Sequence, residues 1–331
     1  MRNSFVNTLI DAAALDERVW LLCGDLGFSV LESFAACYPD RFINVGVAEQ
    51  NMTGVAAGLA LSGKVVFTYS IANFPVMRCL EQIRNDVCYH NLNVKVVAVG
   101  GGLSYGAQGY THHGVEDLAV LRVLPNIAVL APGDPVEARL ATLELLRYPG
   151  PGYLRLGKSA ERVVHGEEPI FGLGKAIPLF EGYEVTVIST GAVLHAAYEG
   201  CAIVRSEGLS PRLLSMPSIA PFDRDAVLRA ADDSSSIVTM EEHGEGGVAS
   251  VVAEVLAQAG SGCRLVPLRL ARAAIMEAGT QEYLRRRYSL TSEHLAALLR
   301  RLHRSEGKPV PLVEEGGLNQ PQFLSVGTGA D

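Results

Sequence analysis

Short apolar runs alternate with helical patterns along most of the chain, and this alternation predicts parallel α/β layers. In the first half, buried strands are predicted by the apolar runs at 19–22, 64–67, 94–97 and 127–130. Helical periodicity between them covers residues 48–61, 74–88 and 134–147. The last of these helices has a strong start signal, because Asp134 is a capping residue and Pro135 suits the first turn.

The rhythm stops between about residues 160 and 183 and then resumes. Further strands are predicted at 185–188, 237–240 and 264–268, and a last helix near 291–303. We therefore predict an α/β protein of two domains, each a mainly parallel sheet flanked by helices. The predicted division is a first domain at 1–165, a linker at 166–182, a second domain at 183–304 and a flexible tail at 305–331.

Composition narrows the function classes. Hydrophobic residues make up 48% and charged residues 19% of the 331 residues, and the formal net charge is −8. This balance is typical of globular proteins and gives no basic surface for nucleic acid or an anionic membrane. Apolar runs stay shorter than a membrane span. The six cysteines are scattered without a CxxC pair, so we expect a reducing cytoplasm and no metal site on this chain.

Glu49 is the first candidate for chemistry. A predicted strand ends at Val45, Gly46 turns the chain, and Glu49 then lies in the first turn of a helix rich in alanine and glycine. A carboxylate at this position interacts favourably with the helix dipole. The pattern alone therefore favours an ordinary first-turn glutamate over a functional one.

A glycine-rich stretch at 100–114 follows a predicted strand, as binding loops in open α/β sheets do. It is not a GxGxxG motif and no helix opens from its glycines, so a dinucleotide site is weakly supported. The adjacent His112 and His113 suggest acid–base or hydrogen-bonding work, with ordinary loop histidines as the alternative. Asp25 resembles the start of a diphosphate-binding motif, but the asparagine-bearing half of that motif is missing and we reject this interpretation.

The segment GVAEQNM at 46–52 is similar to the pyrimidine-binding domain of transketolases, especially those encoded by two genes. The similarity continues in family order through LEQIRN at 80–85, THHGVED at 111–117, LPN at 124–126, APGDPVEA at 131–138 and TMEEHG at 239–244. It implies thiamin diphosphate as cofactor. It also implies a separate partner chain that binds the diphosphate through Mg²⁺ or Ca²⁺, in a heterotetramer with two copies of each chain.

The resemblance assigns cofactor-binding roles to four residues. Glu49 is implied to be the acid that hydrogen-bonds N1′ of the aminopyrimidine and favours its imino tautomer. Phe74 is implied to stack on the pyrimidine, with Tyr69 as a possible substitute, and Asp25 matches an aspartate near the cofactor. Interface or structural roles are expected for Arg78, Glu81 and Arg84.

The resemblance also implies substrate contacts. His112 matches a histidine that contacts substrate oxygens near the reacting carbon, and His113 stands where many relatives carry another polar residue. Gln108 replaces an aspartate that reads hydroxyl configuration, and Gly100 replaces a further histidine. A neutral amide and the extra space at position 100 predict a specialised substrate. Groups around a sugar phosphate are implied at Arg2, Ser29 and Lys158, with Arg155 as a nearby alternative to Lys158.

The implied activity is transfer of a two-carbon ketol unit from a ketose, as its phosphate, to an aldehyde acceptor. Three alternatives stay open at this point: the β subunit of a 2-oxoacid dehydrogenase, a deoxyxylulose-phosphate-synthase-like enzyme, and a non-catalytic subunit that only stabilises a partner. The acid at position 49 argues against the last, because an inactive copy would have no need for it.

Overall fold

The computed structural model describes residues 1–158 and 161–304, which form two α/β sheets with their helices. The strands of the first half are β1 Val19–Cys23, β2 Phe42–Asn44, β3 Val65–Ile71, β4 Val94–Val99, β5 Ala128–Leu130 and β6 Gly152–Leu156. Its helices are α1 Arg2–Leu15, α2 Glu32–Cys37, α3 Glu49–Leu61, α4 Phe74–Met77, α5 Leu80–Gln82, α6 Asp117–Leu121 and α7 Pro135–Arg147.

The second half continues the same alternation. Its strands are β7 Ile177–Phe180, β8 Val185–Ser189, β9 Arg212–Ser215, β10 Ser218–Ala220, β11 Ser236–Met240 and β12 Arg264–Leu268. Its helices are α8 Leu194–Ser206, α9 Arg224–Asp233, α10 Val248–Gln258, α11 Gln281–Arg287 and α12 Ser292–Arg304.

Both sheets are mainly parallel, which confirms the predicted fold class. The first has the order β10-β5-β6-β4-β3-β1-β2 and the second the order β12-β11-β8-β9-β7. Strands β4 and β6 are buried along their whole length, because helices cover both faces of a parallel sheet. One antiparallel strand lies at an edge of each sheet, β10 in the first and β7 in the second.

Strand β10 joins the two halves of the chain. It follows β9 of the second sheet but pairs with β5 of the first, with Ser218 opposite Leu130. Strand β7, at 177–180, lies inside the segment predicted to be a linker and pairs with β9. The linker is therefore not free of secondary structure. The predicted tail at 305–331 lies outside the described residues.

The predicted elements are largely confirmed, including the start of α7, where Asp134 accepts a hydrogen bond from the Glu137 amide at 2.8 Å. The predicted helix at 74–88 is wrong in detail, because it consists of α4, α5 and a π-helical turn at Ile83–Cys88. The break between α4 and α5 falls at Arg78 and Cys79. Within the described residues, no helix has the length and apolar character needed to cross a membrane.

The loops that matter for function leave the carboxyl ends of neighbouring strands. Strands β1, β2, β3 and β4 are parallel, so the segments that follow Cys23, Asn44, Ile71 and Val99 meet at one edge of the sheet. Ligands of open α/β sheets bind at this edge.

Candidate active site

Glu49 is a buried carboxylate at the start of α3. Gly46 adopts a φ of +73°, which turns the chain from β2 into the helix. Glu49 is only 3% exposed, and its Oε2 accepts a hydrogen bond from Nη1 of Arg78 at 3.0 Å. A carboxylate that is removed from water needs such a partner, because an isolated buried charge is costly. A simple solvent-exposed first-turn glutamate is therefore excluded.

Asn44 locks the neighbouring loop beside Glu49. Its side-chain oxygen accepts from the amides of Asp25 and Gly46, both at 3.0 Å, and its amide group donates to Oδ1 of Asp25 at 2.9 Å. Gly24 approaches so closely that a side-chain carbon there would lie 3.7 Å from Cγ of Glu49. Asp25 thus lies near Glu49 with its carboxylate exposed, and Asn44 is a structural residue that the sequence did not reveal.

Phe74 lies half-buried at the start of α4, next to Glu49's partner. Cζ of Arg78 lies 4.4 Å from the centroid of the Phe74 ring. The His112 ring meets the Phe74 ring edge-on, with centroids 5.1 Å apart. Phe74 and Arg78 also line an open cavity of about 560 Å³ together with Thr111 and His113. Phe74 and His112 are therefore brought together, as the sequence predicted.

Tyr69 occupies a different environment. It is 1% exposed and its ring stacks on Phe5 of α1, with centroids 6.1 Å apart. Burial raises the pKa of its hydroxyl above the ordinary value. Of the two aromatic candidates for the pyrimidine, the geometry favours Phe74, because Tyr69 is part of the core.

The two adjacent histidines differ in environment. His112 is half-buried and its Nδ1 lies 3.0 Å from the hydroxyl of Thr111. His113 is 1% exposed, and neither ring nitrogen has a hydrogen-bond partner within the described part of the chain. Burial lowers the pKa of His113, so the neutral imidazole is favoured.

Tyr105 connects the remaining candidates and was not identified from the sequence. Nζ of Lys158 lies 4.5 Å from the centroid of its ring, and the His112 ring lies 6.2 Å away on another side. The charge of Arg2 lowers the pKa of Tyr105, whereas burial has the larger, raising effect, so Arg2 lies close by. Lys158, Arg2 and His112 therefore surround one aromatic ring.

Gln108 and Ser29 are exposed near this group. Gln108 ends the short 3₁₀ turn Gly106–Gln108 that precedes His112. Ser29 adopts a φ of +62° and its amide donates to Oε1 of Glu32 at 2.7 Å. Both stay predictions as substrate contacts.

Two expectations of the sequence are corrected here. Nε of Arg155 donates to Oδ2 of Asp117 at 2.9 Å, and Nη2 donates to the main-chain oxygen of Glu242 at 3.0 Å. Arg155 is only 4% exposed and its donors are engaged within the protein, so it is not an alternative to Lys158. The extra space predicted at Gly100 is also absent, because a side-chain carbon there would lie 2.1 Å from the Tyr105 ring.

The glycine-rich loop packs against the second half of the chain. A side-chain carbon at Gly102 would lie 2.6 Å from Cβ of Glu242, and one at Gly106 would lie 2.5 Å from the oxygen of Gly279. Gly102 also exchanges main-chain hydrogen bonds with Gly114, at 2.8 and 3.2 Å. These glycines permit close packing, and they hold His112 and Tyr105 in place.

The segment Glu242–Gly244 supplies the other side of this contact. Glu242 is 1% exposed and accepts from Nε of Arg285 at 2.7 Å. His243 accepts from the Leu118 amide at 3.2 Å, and burial lowers its pKa to about 4. A neutral His243 can accept this hydrogen bond. The motif therefore supports the site from behind.

Comparison with known proteins gives consistent matches over most of the chain. Residues 1–163 match the transketolase pyrimidine binding domain and residues 174–295 match the transketolase C-terminal domain. One of the two subunits of the apulose-4-phosphate transketolase of Phocaeicola vulgatus is 40% identical over 260 residues, which are 78% of this chain and 83% of that protein. The 6-deoxy-6-sulfo-D-fructose transketolase subunit SqwH of a Clostridium species is 36% identical over 299 residues, 89% of this chain and 92% of that protein.

A solved structure shows the same fold. A split gene transketolase, described as an inactive beta4 tetramer, superposes with a TM-score of 0.84 at 34% identity. The match covers 92% of this chain and 98% of that chain. The paired domains of this chain therefore occur together in a separate subunit elsewhere.

Proposed function

Because this chain belongs to the transketolase family, we propose that it is the glutamate-bearing subunit of a two-subunit, thiamin-diphosphate-dependent transketolase. The enzyme transfers a two-carbon ketol unit from a ketose phosphate to an aldehyde acceptor. The observation that carries the proposal is the buried carboxylate of Glu49 beside the half-buried ring of Phe74, at the open edge of the sheet.

The residues present fit the aminopyrimidine. Glu49 offers a carboxyl group that is held by its helix and shielded from water, which is what a hydrogen bond to a ring nitrogen requires. Phe74 offers one side of its ring to the cavity. The bound cofactor would supply the electron sink for cleavage of the carbon–carbon bond. Glu49 would hold a proton at N1′, and Phe74 would orient the ring.

The substrate would meet the group around Tyr105. Thr111 engages Nδ1 of His112, so Nε2 is the nitrogen left to contact a substrate oxygen. Lys158 and Arg2 place two positive charges near the same ring and would hold the phosphate, with Ser29 at the outer edge. His113 and Gln108 would line the acceptor side. A glutamine in the position of the family aspartate favours a specialised ketose over xylulose 5-phosphate.

A partner chain completes the proposal. It would bind the diphosphate and its Mg²⁺ or Ca²⁺, and two copies of each chain would form an α2β2 assembly. The similar split gene protein formed an inactive beta4 tetramer, which supports the need for a second kind of subunit. We place the assembly in the cytoplasm, because all six cysteines are free thiols.

The test is ketol transfer by this chain with and without its purified partner. The donor panel should contain apulose 4-phosphate, 6-deoxy-6-sulfofructose and xylulose 5-phosphate, since the first two name the relatives' reactions. We expect turnover only in the mixture, and its loss with Glu49→Gln. A matched control is Glu293→Gln, an exposed first-turn glutamate of α12, which should retain full activity.

Other results would contradict the proposal. Release of carbon dioxide from a 2-oxoacid would indicate a 2-oxoacid dehydrogenase subunit, and a requirement for pyruvate would indicate a deoxyxylulose-phosphate-synthase-like enzyme. Full turnover by Glu49→Gln would remove the assigned acid.

A further inference from the structure

Arg78 binds the one carboxylate on which the proposed function depends. It follows α4 directly, at the break that separates α4 from α5. Its Nη1 lies 3.0 Å from Oε2 of Glu49, whose side chain is 3% exposed, while the side chain of Arg78 is 50% exposed. A mobile, solvated cation therefore neutralises a fixed, buried anion.

The same guanidinium also covers Phe74. Its Cζ lies 4.4 Å from the centroid of the aromatic ring, within the range of a cation–π contact. One side chain thus occupies both groups that the proposed function assigns to the pyrimidine: the carboxylate and the aromatic face. A planar ring that stacks on Phe74 and bonds to Glu49 needs the positions that Arg78 now fills.

The chemistry of the two partners makes this a competition. A guanidinium donates hydrogen bonds and has no acceptor, and it stays charged at any relevant pH. An opposite charge at this distance favours the ionised form of a carboxyl group, whereas the cofactor nitrogen must share a proton with it. Arg78 and the pyrimidine would therefore place opposite demands on Oε2 of Glu49.

Resting on the proposed function, we propose that Arg78 is a displaceable counterion of Glu49. In the separate subunit it stabilises the buried carboxylate. In the assembled enzyme it leaves Oε2 when the aminopyrimidine binds, and its half-exposed position at the cavity rim lets it move without unfolding α4. Arg78 is thus a positioning residue that acts through Glu49, rather than the interface residue that the sequence suggested.

The first measurement is the dissociation constant of thiamin diphosphate with Mg²⁺ in the assembled enzyme, by titration calorimetry. Arg78→Met removes the competitor, so binding should tighten about two- to fivefold, the range of a partly exposed ion pair. The matched control is Arg84→Met. Arg84 is also exposed, and its Nη1 donates to Oδ1 of Asn85 next to it, so the dissociation constant should not change.

The second measurement is the urea midpoint of the separate subunit. Arg78→Met should lower it in the wild-type background and leave it unchanged in Glu49→Gln, because the buried charge is then absent. Arg78→Lys keeps the charge and should restore most of the midpoint, which also serves if Arg78→Met folds poorly. Weaker or unchanged cofactor binding by Arg78→Met would overturn the inference. Loss of turnover in Glu49→Gln would still support the proposed function in that case.

Discussion

Asp117 and Arg155 form an ion pair between the two sheets, with 2.9 Å between Oδ2 and Nε and almost no exposure of either side chain. The same carboxylate accepts the hydroxyl of Tyr153. Arg155 also reaches the main-chain oxygen of Glu242 in the second half of the chain. The pair therefore connects the loop that carries His112 to the segment that packs behind it.

Removal of one partner should destabilise the protein strongly. Arg155→Met leaves Asp117 buried without its counter-charge, and a loss of about 3–5 kcal/mol in the free energy of unfolding is expected. Urea denaturation measures this loss. Arg18→Met is the control, because the Arg18–Asp16 pair lies at the surface and should cost less than about 1 kcal/mol. Equal effects of the two variants would contradict the structural role of Arg155.

Gly102 should be intolerant of any side chain. Its φ is +67°, and a side-chain carbon would lie 2.6 Å from Cβ of Glu242 and 3.0 Å from its main-chain oxygen. Gly102→Ala should therefore cost about 1–3 kcal/mol and lower kcat/KM, since the loop before His112 must shift.

The matched control for this loop is Gly262→Ala, where no atom lies within 4 Å of the added carbon. Steady-state kinetics and urea denaturation of both variants provide the comparison. An unaffected kcat/KM in Gly102→Ala would show that the loop position does not govern the site.

The sequence predicted the parts of this fold that follow from local pattern. Strand β4 is a continuous apolar run because both faces of the sheet are covered, and such runs are readable. Strand β10 is three residues long, begins with Ser218 and carries no period, so its exchange into the first sheet was invisible. We have no physical account of the π-helical turn at Ile83–Cys88.

The site was predictable only where the resemblance supplied it. The contact of Arg78 with Glu49 joins residues 29 positions apart and depends on the break after α4, which the helical pattern did not reveal. Tyr105 lacks any local signal, because its role comes from the side chains of Lys158 and His112 that the folded chain places around it.

Lys158 should be needed for phosphorylated donors. Loss of a charged partner typically costs about 1.5–3 kcal/mol, so Lys158→Met should raise KM for a ketose phosphate roughly tenfold or more with a smaller change in kcat. The non-phosphorylated ketose should show no such increase. Lys175→Met, at an exposed lysine of the connecting segment, is the charge-matched control. An equal rise in KM for both donors would exclude a phosphate contact.

Lys95 should give the protein a specific pH dependence. It is completely buried in β4, where its ammonium group donates to the main-chain oxygens of Tyr148 and Gly150. Burial lowers its pKa from the ordinary 10.5 to about 7. Between these two values the unfolded chain keeps a proton that the folded chain releases, so this group makes the free energy of unfolding rise with pH.

The comparison with Lys95→Met isolates this contribution. The difference in free energy of unfolding between wild type and variant should change in favour of the wild type from pH 7 to pH 9.5, as measured by urea denaturation. Below about pH 7 both states of the wild type bind the proton, and the difference should become constant. Parallel curves across the whole range would mean that the two carbonyl groups hold Lys95 in its charged form, so that burial does not govern its protonation.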